Sequence, residues 1–137
     1  MREPNDAETQ WISGLAHALR ESGAPSDVGA LSEYFAEQRD RWFATPQDAR
    51  WDPNPLINGV GAIVGDLFVR ELDLRWVVAS DEYGVEAAVF GSPGEILLYP
   101  MNATAKRWTG EADGTLAEFI ARTLESVRAV QRQVSGG

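Results

Sequence analysis

The chain reads as an α+β domain: N-terminal helices, a glycine-bearing helix, a three-stranded antiparallel meander and a C-terminal helix. Three observations carry this expectation. Apolar residues recur at three- and four-residue steps before Leu72 and again after Leu116. Between those regions lie three short runs rich in Val, Ile, Leu and aromatic residues. The turns that separate the runs contain glycine and are too short for a parallel crossover, so the strands connect as hairpins. At 137 residues, 44% of them hydrophobic, the chain fits a single domain over 1–137. That size supplies a core without a metal or disulfide staple.

In the first helix Trp11, Ile12, Leu15 and Leu19 fall on one stripe, and Ser22-Gly23-Ala24-Pro25 stops it. Ser26 or Asp27 caps the second, where Val28, Leu31, Tyr34, Phe35, Gln38 and Trp42 share a face. Both stripes, within residues 11–43, are read as core-facing. Pro46, Pro53 and Pro55 make the next segment a connector. Trp51 within it is a plug over the core or a contact residue.

Asn54 before Pro55 is read as the start of the third helix, asparagine as the cap and proline at the first helical position. Leu56, Ile57, Val60, Val64, Leu67, Phe68 and Leu72 give its apolar period. Gly59, Gly61 and Gly65 interrupt it, and a glycine costs an exposed helix interior about 1 kcal/mol relative to alanine. Asn58, Gly61, Ala62 and Gly65 lie on one face with almost no side-chain bulk. That face suits close approach of another element or, alternatively, a ligand.

Arg75–Ser80, Val85–Phe90 and Glu95–Tyr99 are the predicted strands, joined by Asp81-Glu82-Tyr83-Gly84 and Gly91-Ser92-Pro93-Gly94. Pro100 ends the third strand or places it at an edge. Weak alternation predicts cover on both sheet faces, by helices on one and by a loop, a terminal helix or a second subunit on the other. Asn102 is the expected cap of a helical turn over Ala103–Trp108. Thr115 or Gly114 starts the last helix, whose stripe runs through Leu116, Phe119, Ile120, Thr123, Leu124, Val127, Val130 and Val134. The tail Ser135-Gly136-Gly137 is expected to fray.

Composition removes several function classes. There are no cysteines, which excludes disulfides, thiolate zinc sites and cysteine nucleophiles. A net charge of −9 repels a phosphate backbone, so no nucleic-acid partner is expected. The charge fits a solvated acidic surface or a basic partner. The polar start MREPNDAETQ carries no signal-peptide pattern, and the apolar runs are too short for a membrane helix. A cytoplasmic location is the default expectation, with no membrane partner.

Catalytic constellations are missing. His17 is the single histidine, insufficient for a metal site, and no serine sits in a G-x-S-x-G elbow. Gly59-Val60-Gly61-Ala62-Ile63-Val64-Gly65 has the spacing G-x-G-x-x-x-G and follows no strand, so it is not a dinucleotide-binding turn. Asp81 and Glu82 share a hairpin, and Glu86 and Glu95 are placed to face one another across the next. They are read as solvated acids. Lys106-Arg107-Trp108 is a small basic–aromatic cluster, read as an anion contact or as Arg107 stacked on Trp108. No catalytic residue, metal or cofactor is assigned.

The order INGVGAIVGDLFVRELDLRWVV, DEYGVEAAVF, ILLYP, KRW and a closing amphipathic helix resembles the bacterial domain-of-unknown-function family 3806. Asn58, Gly61, Gly65, Trp76, Gly84, Pro100, Lys106 and Arg107 carry the resemblance, over about Leu56–Phe119. It implies a compact α+β fold and brings no activity. The reading is a non-catalytic protein- or peptide-binding module, with a protein partner or a homodimer. The alternative is a small-molecule or enzyme site beside the glycine helix. Candidate binding residues are Asn58, Gly61, Gly65, Trp76, Lys106 and Arg107, with Asp81 added in the alternative.

Overall fold

The computed structural model describes residues 1–136 except Tyr83 and Pro93, and only the backbone of residues 81, 135 and 136. The elements are α1 (Asp6–Glu21), α2 (Val28–Ala44), a 3-10 turn (Gln47–Ala49), α3 (Asn54–Leu72), β1 (Arg75–Asp81), β2 (Gly84–Gly91), β3 (Ile96–Leu98), α4 (Pro100–Thr109) and α5 (Leu116–Gly136). The sheet is antiparallel in the order β1-β2-β3, so the α+β expectation holds. Both hairpin loops contain a residue outside the described set, as does the end of the tail.

α3 is the centre. It packs against α1, α4, α5 and the sheet. Val60, Ala62 and Phe68 are wholly buried, and Ile57, Ile63, Val64 and Leu72 nearly so. α2 and α5 pack together and close the core with Leu31, Phe35, Leu116, Ile120 and Val127. Helix ends are satisfied across elements. Ser32, buried in α2, accepts from the Ala117 N–H at 3.0 Å, serving an unpaired amide in the first turn of α5. Gln131 Nε2 donates to the Leu72 carbonyl at the end of α3 at 2.8 Å. Arg39 Nε donates to the Trp108 carbonyl near the end of α4 at 2.6 Å.

Several local expectations change. α3 begins at Asn54, but no side chain caps it; instead Asp52 Oδ1 accepts the Asn54 N–H at 3.0 Å. Pro100 both ends β3 and opens α4, so that helix starts before Asn102 and Asn102 is not its cap. The reason is that proline fits the first helical turn, where an N–H has no partner anyway. Trp11 leaves the predicted core stripe, which is carried by Ile12, Ala16 and Leu19. Val130 and Val134 likewise run out to solvent as α5 passes the edge of the core. Glu86 pairs with Ala79 and not with Glu95, because β2 and β3 share only three registered pairs next to the turn.

The N-terminus is tied down. Asn5 and Glu8 form a capping box at α1. Arg2 grips the Glu8 carboxylate with two bonds, 2.7 and 2.8 Å. Arg2 also exchanges both backbone bonds with Val78, which covers part of the outer edge of β1.

Candidate functional site

The glycine face is a packed junction. A Cβ at Gly61 would lie 2.6 Å from the Met101 Cα of α4. At Gly65 it would run into the Trp76 ring, with Pro100 Cγ at 3.1 Å. At Gly59 it would meet Leu19 of α1 at 3.1 Å. Each glycine therefore marks where a different element closes on α3. Trp76 is fixed over Gly65 because its Nε1 donates to Asp66 Oδ1 at 3.0 Å. Of the candidate residues, Gly61, Gly65 and Trp76 come together here, the glycines buried and Trp76 half-buried over Gly65. Asp81 is a candidate whose side chain lies outside the described residues.

Asn58 stands at the open end of this junction. A cleft of about 320 Å³ begins there, walled by Asn58, Glu8, Trp11 and Asn102 over an apolar floor that includes Ile12, Val78 and Met101. The Asn58 side chain is half-buried and makes no hydrogen bond among the described residues. Two hydrogen bonds from Arg2 and one from the Asn5 N–H hold the Glu8 carboxyl down at about 2, well below its ordinary range. With Arg2 it forms a fixed ion pair at the cleft wall.

Trp11 also borders a larger groove of about 530 Å³ between α1 and the connector. Gly14, Leu15 and Ala18 lie along α1, and Trp51 and Leu56 stand opposite. Trp11 is 50% exposed and Trp51 39%. The connector that presents Trp51 is braced. Its carbonyl accepts from Trp42 Nε1 at 2.8 Å. Arg50 donates to the Trp42, Phe43 and Thr45 carbonyls at the end of α2 and lies over the Trp42 ring at 4.3 Å. Trp51 is thus a held, outward-facing aromatic and not a plug over the core.

Lys106 and Arg107 point apart. Lys106 is exposed, while Arg107 is half-buried and stacks on Phe119 at 4.3 Å, not on Trp108. Trp108 is buried instead in an aromatic cluster with Phe35, Trp42 and Phe43. Burial, and then the charge of Arg122, lower the Arg107 pKa. His17 is on the surface, 3.8 Å from Glu21. No cluster of three metal-ligating side chains occurs among the described residues, and no helix there is long and apolar enough to cross a membrane.

Sequence reasoning missed Glu8, Asn102 and Arg122. The Asn5-x-x-Glu8 spacing was a readable signal for the first; Asn102 and Arg122 gave none, since their positions depend on how α4 and α5 pack. What the fold and its surface define is a small α+β domain built around a glycine-bearing helix that other elements clasp. The chain belongs to the family described as Domain of unknown function (DUF3806), whose model matches residues 34–119, beginning within α2 and so ahead of Leu56. No curated protein and no solved structure matches the chain.

Proposed function

We propose that this domain is a non-catalytic binding module for a basic, amphipathic peptide segment of a partner protein. The observation that carries the reading is the apolar groove between α1 and the connector, with two exposed tryptophans at its walls. Exposed Trp beside a preformed apolar recess is the composition of an interface hot spot. The floor suits close approach, since nothing lies within 4 Å of a Cβ placed at Gly14. Asp52 in the groove and the net charge of −9 favour a basic occupant. Trp11 belongs to both recesses, so a bound segment can continue from the groove toward the free amides of Asn58 and Asn102.

The test is selection of peptides from a random display library, followed by titration using tryptophan fluorescence. Enriched peptides should combine Lys or Arg with large apolar residues. Trp51→Ala should weaken them by about 2 kcal/mol, the size of a hot-spot loss, with an unchanged melting temperature. Equal binding to wild type and to a Trp11→Ala/Trp51→Ala variant refutes the reading, as does a self-association that fills the groove with a second copy.

A small-molecule ligand in the Asn58 cleft is the second reading, favoured by the unpartnered Asn58 amide. In that case Asn58→Ala removes binding and Trp51→Ala leaves it intact.

A further inference from the structure

The strongest unexplained feature lies away from the groove, between α4 and α5. Arg107 and Arg122 line one shallow recess of about 410 Å³, together with Thr123 and Ser126. Arg2, Arg70 and Arg128 have carboxylate partners, while most of the other arginines, on an acidic chain, have none among the described residues. Arg107 and Arg122 form no ion pair among the described residues. Asp113 borders the same recess, and Glu118 Oε2 and Arg122 Nη2 lie 3.1 and 3.2 Å from the position of a Cβ at Gly114, but neither carboxylate forms an ion pair with either guanidinium among the described residues.

Arg107 is also short of acceptors. A guanidinium has five N–H donors. Here one bond is made, from Nη1 to the Ala103 carbonyl at 3.2 Å, and Nε is buried with no partner. Phe119 holds the plane of the group from one side. Arg107 also borders a second recess, lined by Arg39 and Asp40, whose opposite charges leave its field to Arg107. Two arginines lining one recess, with unused guanidinium donors and the Ser126 hydroxyl beside them, while the Thr123 hydroxyl donates to the Phe119 carbonyl at 2.8 Å, match the charge and the tetrahedral geometry of a phosphoryl group. A carboxylate offers fewer oxygens to the same set.

We infer that the recess between α4 and α5 is a phosphoryl-binding site, in which Arg107 and Arg122 clasp the anion and Ser126 and Thr123 border it. Free phosphate and the end of a phosphate monoester present this same chemistry.

The experiment uses the full chain at constant ionic strength. Inorganic phosphate, phenyl phosphate and acetate are titrated separately, with calorimetry and with the arginine side-chain Nε resonances as readouts. Saturable shifts at Arg107 and Arg122 with both phosphates, but not with acetate, are the expected result. Tighter binding of phenyl phosphate assigns an ester ligand, and equal or tighter binding of phosphate assigns the free ion; either supports the site. Arg122→Gln, at an exposed position, should reduce affinity about tenfold without loss of fold. Arg107→Lys should do the same, because it keeps the charge and loses the fork. Lys106→Gln, on the neighbouring exposed side chain, should leave binding unchanged. Acetate binding as tightly as phosphate, unsaturable titration, or unaltered affinity in Arg122→Gln overturns the inference.

Discussion

Gly61→Ala is the sharpest probe of the fold, because two effects of known size oppose one another there. Alanine is the better helix former by about 1 kcal/mol. Its methyl group, however, would sit 2.6 Å from Met101 Cα and 2.8 Å from Met101 Cγ. Carbon atoms in contact prefer about 3.5–4.0 Å, so α4 must retreat by about 1 Å. The Cγ can rotate away, but the Cα belongs to a helix whose Thr104 and Trp108 are themselves buried. Overpacking costs about 1–3 kcal/mol, and a backbone obstacle puts this site at the upper end. The net is a loss of about 2 kcal/mol, or roughly 8 °C in melting temperature for a chain of this size. Gly14→Ala supplies the control. It gains the same helix propensity on α1 and meets nothing within 4 Å, so it should stabilise by up to about 1 kcal/mol. Urea and thermal unfolding followed by circular dichroism measure both. A Gly61→Ala protein as stable as wild type, or both substitutions moving stability in the same direction, refutes the packed-face account.

Gly65→Ala should be destabilising for a related reason, but here the obstacle is the six-membered ring of Trp76. Trp76→Phe removes those atoms and also gives up the bond to Asp66, a loss of about 1.5–3 kcal/mol for a charged acceptor. The double variant should therefore be more stable than the sum of the single effects predicts, and strict additivity in a double-mutant cycle counts against direct contact. Glu8 predicts an acid-side effect. Its folded-state pKa is depressed from 4.5 to about 2 by Arg2, so the ion pair contributes fully above pH 4.5 and is lost as pH falls from there toward 2. The difference in melting temperature between wild type and Glu8→Gln should shrink across that window; a difference independent of pH argues against the pair.

The fold was legible in the sequence because its main signals are local. The proline before α3, the periodic Leu56 to Leu72 stripe and the glycine turns of the meander each specify an element without reference to the rest. The bulk-free face at Gly61 and Gly65 could also be read, since 100° per residue fixes which positions align. What covers that face could not be read, because Met101 and Trp76 reach it only through tertiary packing. The same limit applies to the surface. Trp11 sits next to Ile12 on a helical stripe, and periodicity alone puts both in the core. In the fold α1 is rotated so that Ile12 and Ala16 face α3, which leaves Trp11 at the groove. Lys106 and Arg107 are adjacent in sequence, yet consecutive helical positions point about 100° apart, so they cannot share a ligand-facing surface as a simple pair.

The family match falls on the centre of the domain. Residues 34–119 contain α3, the sheet and α4. They omit α1, whose Leu19 covers Gly59, and nearly all of α5, whose Ile120 and Val127 complete the core. The matched segment is therefore the centre of the domain but leaves apolar surface uncovered by itself. The glycine face of α3 is occupied by α1, α4 and Trp76, while Asn58 borders the cleft and Leu56 the groove. Both proposed sites lie at seams where the matched centre meets the flanking helices. The groove joins Trp51 of the centre to Trp11 of α1, and the arginine recess joins Arg107 of α4 to Arg122 of α5. Each proposed site needs one residue from either side of its seam, so each flanking helix that completes the core also completes one of the proposed surfaces.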